Sequence, residues 1–209
     1  MREIHIKALV LGSVQNNCYI VRSRESQEVL VIDPGDELYK IENYLKDNDL
    51  ECKAIFLTHG HFDHITAALG LKNLTKAPIY AHVAEKELLA NPNMNASVYM
   101  GEEVSVSPDI LLKDKEEVQI AGLSWRVIYT PGHTRGGVCF YLPNQGIVFS
   151  GDTLFYESIG RTDLPTGNHQ MLIESIQNQL MVLEDNIEVY PGHGRPTTIG
   201  HERHNNQYL

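Results

Sequence analysis

The sequence contains little of what disulfide-rich or membrane-spanning proteins require. Three cysteines occur among 209 residues, at Cys18, Cys52 and Cys139 in separate apolar runs, so they are predicted to be small buried side chains rather than a disulfide framework. No apolar run approaches the roughly 18 residues of a membrane-spanning helix, and the N-terminal residues lack the apolar stretch of a signal peptide. We therefore expect a cytoplasmic protein with no membrane partner.

Basic side chains are also scarce. Lysine and arginine together number 17 against 27 acidic residues, and the net charge is -10 with the histidines neutral. Binding along a phosphate backbone depends on clustered basic side chains, so we expect no nucleic-acid partner. The length fits one domain over residues 1–209 with a sizeable buried core, and we expect a monomer or a small homo-oligomer that acts on a small molecule.

Short strand-like runs are mixed with helical patterns along the chain. The periodicity predicts strands at residues 4–11, 17–21, 29–32, 53–57, 78–82, 125–129, 146–149 and 187–190. It predicts helices at residues 38–45, 65–74, 169–183 and 198–208, and an irregular segment at 91–109. Strands grouped on both sides of helical segments predict an α+β fold, with sheets packed centrally and helices outside.

The most informative feature that is present is the run His-Gly-His-Phe-Asp-His at residues 59–64, directly after the strand predicted at 53–57. Imidazole nitrogens and carboxylate oxygens suit zinc, iron or manganese. In an extended segment, side chains two positions apart point the same way, so His59 and His61 can bind one ion. Asp63 and His64 lie beyond them and can reach a second ion.

Three later strands are each followed by a glycine turn and then a metal-binding side chain. His133 follows Thr-Pro-Gly, Asp152 follows Ser-Gly, and His193 follows Pro-Gly. Glycine permits the sharp turn and close backbone approach that direct such a side chain into a shared cleft. Any one of these turns is weak evidence, but the three together with the histidine run predict a single site.

These segments supply seven candidate ligands, all of them nitrogen or oxygen donors: His59, His61, Asp63, His64, His133, Asp152 and His193. One zinc site takes three or four protein ligands, so seven predict two ions. We assign His59, His61 and His133, the first triad, to one ion. The second triad, Asp63, His64 and His193, holds the other ion, and Asp152 bridges the two. Zinc is the expected metal, with iron and manganese as alternatives.

A site of this kind favours hydrolysis. Two divalent ions about 3.5–4 Å apart lower the pKa of a shared water toward neutrality, hold it as hydroxide and polarise a substrate carbonyl. We expect Asp63 and Asp152 to be the catalytic carboxylates. A thioester suits this chemistry because a thiolate, with a pKa near ~8.5, leaves with little help from a general acid.

The segment Thr58-His59-Gly60-His61-Phe62-Asp63-His64 resembles the signature of the metallo-β-lactamase superfamily, and the likeness extends over residues 17–194. The resemblance implies an αβ/βα sandwich of two mixed β-sheets flanked by helices, with a dinuclear site at one edge. It also implies the same seven ligands, with Asp33 supporting one of them from below.

Within that superfamily, residues 151–155 and 160–163 are similar to compact, single-domain bacterial members of the glyoxalase II-like group. This likeness implies a hydroxyacylglutathione hydrolase-like thioesterase. Glyoxalase II proper carries a C-terminal helical extension that helps hold glutathione, and this sequence ends soon after His193. The identity of the substrate thiol is therefore left open. Arg161 and Tyr156 are candidate substrate contacts, and Arg161 has pairing with Asp163 as an equal alternative.

Other functions are alternatives to thioester hydrolysis. Persulfide dioxygenases resemble the chain at residues 160–163 and use one iron on two histidines and an aspartate, here His59, His133 and Asp152. A binding protein that keeps the fold without turnover is disfavoured because all seven ligands are retained. Asp152 counts against a true β-lactamase, and the acidic balance counts against a tRNA-processing nuclease.

Overall fold

The computed structural model describes residues 4–209, and most of its strands form two six-stranded sheets. The strands are β1 (Ile4–Leu11), β2 (Asn16–Ser23), β3 (Glu28–Ile32), β4 (Glu51–Phe56), β5 (Ile79–His82), β6 (Ile110–Leu112), β7 (Glu117–Ile120), β8 (Leu123–Tyr129), β9 (Val138–Leu142), β10 (Ile147–Gly151), β11 (Leu154–Phe155), β12 (Ser158–Ile159), β13 (Glu188–Pro191) and β14 (Thr197–Thr198). The helices are α1 (Leu38–Asp47), α2 (Phe62–Ile65), α3 (Ala68–Thr75), α4 (Lys86–Ala90), α5 (His169–Ser175) and α6 (Ile199–Asn205).

Both large sheets are mixed. The first has the order β1-β2-β3-β4-β5-β6, antiparallel up to β3 and parallel from β3 onward. The second has the order β14-β13-β10-β9-β8-β7, in which only β10 and β13 are parallel. The short strands β11 and β12 form a separate hairpin. This arrangement confirms the predicted sandwich of two mixed sheets.

Alternate residues of the central strands pack into two different cores. Along the strand that precedes the histidine run, Ala54 and Phe56 lie between the two sheets, whereas Ile55 and Leu57 face the opposite side. A strand buried on both faces needs an apolar residue at nearly every position, which is why this segment has no polar alternation. Aromatic rings fill the space between the sheets, and the centroids of Phe56 and Phe140 lie 4.5 Å apart.

Helices cover the outer faces of both sheets. On the first sheet, Ile41 and Leu45 of α1 join Leu71 of α3 in a continuous apolar cluster. On the second sheet, Leu172 of α5 and Ile199 of α6 do the same. The predicted layering, with sheets inside and helices outside, is therefore correct.

The sheets bring the ends of four strands to one edge of the molecule. Because β9 is antiparallel to both β8 and β10, and β10 is parallel to β13, the strands β8, β10 and β13 all run in the same direction. The end of β4 joins them through Val138, whose amide donates to the carbonyl of Thr58 at 2.9 Å. The amide of Asn17 donates to the carbonyl of Gly192 at 2.7 Å and closes the same edge.

The helix predicted at residues 65–74 is instead two helices, α2 and α3, with a break at Thr66 and Ala67. The reason is a competing hydrogen bond, because the amide of Ala67 donates to the carbonyl of Pro34 at 3.0 Å rather than to the preceding turn. A second difference lies at residues 169–183, where α5 is followed by a wider π-type turn over Ile176–Leu180. The strands β6, β7, β9, β11, β12 and β14 and the helix α4 were not predicted.

Two exclusions made from the sequence can be compared with the structure. Cys18, Cys52 and Cys139 are all buried and free, which confirms that they do not form a disulfide framework. In the part of the chain that the structure describes, no helix combines the length and apolar character needed to cross a membrane.

Candidate metal centre

All seven candidate ligands come together at the sheet edge where β4, β8, β10 and β13 end. His59 and His61 follow β4, and His133, Asp152 and His193 follow the three strands of the second sheet. The short helix α2 carries Asp63 and His64. Each strand end therefore contributes at least one side chain, as the repeated turn pattern predicted.

The first triad forms a tight group of imidazole nitrogens. The Nε2 atom of His133 lies 2.9 Å from Nδ1 of His61 and 3.2 Å from Nε2 of His59. All three rings are buried. Two nitrogens bound to one tetrahedral zinc ion would be about 3.4 Å apart for Zn–N bonds of about 2.1 Å, so this spacing suits a single ion.

The second triad lies beside the first. The Nε2 atom of His193 is 3.1 Å from Oδ2 of Asp63 and 3.3 Å from Nε2 of His64. Asp152 stands between the two triads, with Oδ1 at 3.4 Å from Nε2 of His64 and Oδ2 at 3.6 Å from Nε2 of His133. The carboxylate of Asp152 therefore faces both groups, which is the position expected of a bridging ligand.

Hydrogen bonds on the outer side of the rings fix their orientation. Nδ1 of His133 donates to the carbonyl of Arg161 at 2.6 Å, and Nδ1 of His193 donates to the carbonyl of Gln15 at 3.2 Å. A carbonyl can only accept, so these two rings carry their proton on Nδ1 and direct the Nε2 lone pair inward. Metal-bound histidines show this pattern, in which the second ring nitrogen is held by an oxygen acceptor.

Asp33 orients the ring of His64 directly and the ring of His59 through Thr58, which leaves Nε2 of both rings facing the other candidate ligands. Its Oδ2 accepts from Nδ1 of His64 at 2.9 Å and from the hydroxyl of Thr58 at 2.6 Å. Because the Thr58 hydroxyl donates its only proton to Asp33, it accepts from Nδ1 of His59 at 3.1 Å. The supporting role that the family resemblance implied for Asp33 is therefore present in the structure.

The pKa values within the site differ sharply between the two triads. Burial lowers the pKa of His59, His61 and His133, that of His61 to about 3. For His64, burial alone would lower the pKa, but the carboxylates of Asp63, Asp152 and Asp33 raise it to about 10. Burial alone would raise the pKa of Asp63, but His64 and His193 hold it below its usual range. The first triad therefore offers neutral lone pairs and the second offers carboxylate charge.

Three features indicate that this donor set fits metal ions. Within residues 4–209, Oδ1 of Asp152 and Nε2 of His61 are buried polar atoms with no hydrogen-bond partner, although such atoms are rarely left unpaired in folded proteins. The Nε2 lone pairs of His133 and His59, whose Nδ1 atoms donate elsewhere, face each other across 3.2 Å, which is unfavourable without a cation between them. A side chain at Gly192 would overlap Oδ1 of Asp152, so the glycine preserves the space around the carboxylate.

An open cleft of about 420 Å³ leads to this centre. Its floor includes candidate ligands of both triads, and its walls are mainly apolar, formed by Val14, Phe62, Phe155, Ile159 and Leu164. Clefts of this size and character hold small organic ligands.

The two predicted substrate contacts differ in position. Arg161 lines the cleft, and its guanidinium forms two bonds of 2.7 Å to the exposed carboxylate of Asp163, so the pairing alternative is observed. Tyr156 is not among the cleft-lining residues, because its ring stacks between Arg195 and His201 on the outer side of the β11–β12 hairpin.

One residue that contacts the centre was not predicted from the sequence. Glu85 is buried, and its carboxylate accepts from the amides of Gly60 and Gly136, which lie in two of the ligand-bearing loops. No local pattern marks Glu85, because its partners are 25 and 51 positions away along the chain.

The fold and the site together define a metal-dependent hydrolase built on a two-sheet sandwich. The family model described as "Metallo-beta-lactamase superfamily" matches residues 11–193. The chain therefore belongs to the metallo-β-lactamase superfamily, as the sequence resemblance predicted.

Similar proteins support the hydrolase class. The chain is 38% identical to the probable metallo-hydrolase YqgX of Bacillus subtilis, over 97% of this chain and 96% of that protein. It is 32% identical to the hydroxyacylglutathione hydrolase GloC of Haemophilus influenzae, over 99% of this chain and 98% of that one.

Two solved structures extend the comparison to the fold and the metal. The crystal structure of BLEG-1, described as a B3 metallo-beta-lactamase, has a TM-score of 0.93 and 36% identity, covering 98% of this chain and 99% of that one. The structure of TTHA1623 in a di-iron-bound form has a TM-score of 0.87 and 35% identity, covering 97% and 100%. The candidate ligands of this chain are accordingly consistent with a dinuclear centre.

Proposed function

We propose that this protein hydrolyses thioesters of the hydroxyacylglutathione type with two divalent metal ions, most favourably zinc, held by the seven candidate ligands. The observation that carries the proposal is the position of Asp152, whose carboxylate faces both triads at the floor of a small apolar cleft. The similarity to GloC, which spans nearly all of both chains, supports the substrate class.

The chemistry is divided between the ions and the side chains. When bound, two divalent ions lower the pKa of a shared water and polarise the acyl carbonyl. Asp63 and Asp152 line the cleft, where their carboxylate oxygens would hold the ions and accept hydrogen bonds from that water. His59, His64, His133 and His193 hold their positions through the outer hydrogen bonds described above.

The cleft favours a leaving group that needs no proton. Its ionisable lining consists of candidate ligands, apart from Arg161, which is paired with Asp163. A thiol has a pKa near ~8.5, so a thiolate departs without a strong general acid, whereas an amide nitrogen requires protonation. This difference is why we favour a thioester over an amide.

We also propose how the substrate lies. The apolar walls contact the acyl group and the stem of the thiol, and Arg161 at the cleft lining exchanges its bond to Asp163 for a carboxylate of the thiol. Tyr156 is not included among the substrate contacts, because its ring stacks on Arg195 and His201 away from the cleft lining. The protein acts in the cytoplasm on this small molecule as a monomer or small homo-oligomer.

The test measures thiol release from S-lactoylglutathione by protein loaded separately with zinc, iron or manganese, together with the metal content of each sample. Asp152→Asn and His59→Ala should each lower kcat/KM at least 100-fold, because each removes a group at the reacting centre. His204→Ala is the matched control, since His204 is exposed on α6 and its Nδ1 bonds the carbonyl of Gly200 in the same helix. Absence of thioester cleavage under every metal loading would exclude the proposal.

β-Lactam hydrolysis is the second candidate, because BLEG-1 matches this chain at 36% identity with a TM-score of 0.93. A chromogenic cephalosporin in the same assay decides between the two, since the preferred substrate should have the larger kcat/KM. A single bound iron, with oxygen uptake on a persulfide and no thiol release from the thioester, would instead support the persulfide dioxygenase alternative.

A further inference from the structure

Glu85 is a buried carboxylate that joins two ligand-bearing loops of the metal centre. Its Oε1 accepts from the amide of Gly60 at 2.8 Å, and its Oε2 accepts from the amide of Gly136 at 2.6 Å. Gly60 lies between His59 and His61, and Gly136 lies three residues after His133. All three members of the first triad are therefore held in loops that Glu85 contacts.

The packing around Glu85 shows that both loops are shaped to receive it. A Cβ atom at Gly136 would overlap the backbone and carboxylate of Glu85, and one at Gly60 would lie 2.6 Å from Cδ2 of Leu88 in α4. The basic residue of the second loop, Arg135, pairs with Glu87 at 3.3 Å rather than neutralising Glu85. The amides of Gly60 and Gly136 therefore hold Glu85 from both loops.

The contacts of Glu85 are confined to one half of the centre. The second triad is held by other groups, with His64 bonded to Asp33 and His193 bonded to the carbonyl of Gln15. Because one buried carboxylate accepts from the backbone of both loops, its two charge-assisted hydrogen bonds fix the spacing between the loops.

We propose that Glu85 is a positioning residue that fixes the distance between the His59–His61 loop and the His133 loop, and thereby sets the affinity of the first ion selectively. This inference depends on the metal centre of the proposed function but not on its substrate. Glu85 touches neither ion nor substrate and acts through the backbone of the ligand loops.

The test uses Glu85→Gln, which keeps the size of the side chain but presents an amide N–H₂ to one of the two backbone N–H donors. The variant is combined with two backgrounds. His193→Ala removes a ligand from the second triad, so that the zinc affinity of the first triad is measured. His61→Ala removes a ligand from the first triad, so that the zinc affinity of the second triad is measured. Zinc affinity is measured in each by competition with a chromogenic chelator.

We expect Glu85→Gln to weaken zinc binding about 10–100-fold in the His193→Ala background and by less than about twofold in the His61→Ala background. Glu202→Gln is the matched control, because Glu202 is equally buried but bonds Glu157, Thr197 and Asn206 at the C-terminal helix. This control should lower the stability of the metal-free protein without favouring either ion.

Equal weakening of both ions, or no weakening of the first, would overturn the inference. If Glu85→Gln does not accumulate as folded protein, Glu85→Asp gives the same comparison, since the shorter side chain cannot reach both glycine amides. Failure of the unmodified protein to bind zinc at all would instead exclude the metal centre itself, so the two failures are distinguishable.

Discussion

Replacing Asp33 with asparagine should destabilise the metal-free protein because Asp33 orders two candidate ligands at once. Its carboxylate accepts three hydrogen bonds, at 2.8 Å from the Thr58 amide, 2.6 Å from the Thr58 hydroxyl and 2.9 Å from Nδ1 of His64. Asparagine keeps one oxygen but places an N–H₂ group against the Thr58 hydroxyl and Nδ1 of His64, whose hydrogen bonds Oδ2 now accepts. Asp33 has φ of 51°, a conformation that asparagine tolerates, so the substitution adds no backbone strain.

The magnitude follows from these contacts. Oδ2 accepts two of the three bonds, and losing both at about 1.5 kcal/mol each, the low end for hydrogen bonds to charged groups, lowers the unfolding free energy by about 3 kcal/mol. A domain of 150–250 residues loses about 2–4 °C of Tm per kcal/mol, which gives a decrease of about 6–12 °C. Zinc affinity at the second triad should fall about 10–100-fold because His64 loses its support.

The assay is urea and thermal unfolding of chelator-treated protein, followed by zinc competition on the same samples. Asp36→Asn is the control, since Asp36 is an exposed carboxylate in the same loop and should change stability by less than about 0.5 kcal/mol. If Asp33→Asn unfolds within about 0.5 kcal/mol of the unmodified protein and binds zinc equally well, Asp33 does not organise the site.

Four further results are expected. Metal removal should lower Tm by about 5–11 °C, since ligand at 100 times its Kd contributes about 2.7 kcal/mol, and calorimetry with and without chelator measures the difference. The metal-free protein should be most stable near pH ~6.5 in urea titrations. Burial lowers the pKa of the first-triad imidazoles, so acid favours unfolding. For His64, burial opposes the charged form but the neighbouring carboxylates raise the pKa to about 10, so alkali removes the stabilisation that charged His64 provides. Gly192→Ala should lower zinc stoichiometry because its Cβ would overlap Oδ1 of Asp152, whereas a Cβ added in Gly194→Ala would meet none of the described atoms within 4 Å, so this variant should keep both ions. Trp125→Ala should cost about 3–5 kcal/mol of unfolding free energy, measured in urea, because Trp125 is fully buried between the sheets.

Each expectation has an opposite outcome that would contradict it. An unchanged Tm after chelation would mean that the centre binds no metal under the conditions used. A flat stability profile between pH 5 and 9 would contradict the two opposed pKa shifts. Full zinc stoichiometry in Gly192→Ala would show that the backbone moves to admit the methyl group, and a loss below 1 kcal/mol in Trp125→Ala would contradict its place in the core.

The ligand residues could be predicted from the sequence because each of their signals is local. The histidine run and the glycine turns before His133, Asp152 and His193 are patterns of a few adjacent residues. Continuous apolar runs likewise marked most central strands. The break between α2 and α3 was not predictable, because it depends on a hydrogen bond from Ala67 to Pro34, a residue far away along the chain.

The hydrogen bonds around the ligands could be found only in the tertiary structure, because they also join residues far apart in the sequence. The carbonyl of Arg161 holds His133, although the sequence marked Arg161 only for its charged side chain. Tyr156 was predicted as a candidate substrate contact, but the pairing of β11 with β12 places it against Arg195 and His201, away from the cleft-lining residues. No pattern of neighbouring residues in the sequence indicated a role for Glu85.

The sequence by itself determined the donor atoms, the expected number of ions and the superfamily, since ligand chemistry and turn geometry are written in short segments. Only the tertiary structure decided which atoms face one another, including the place of Asp152 between the triads and the support from Asp33 and Glu85. The physical reason is that strand direction and sheet pairing bring distant segments within 3–4 Å, and these long-range pairings are a property of the whole packed chain.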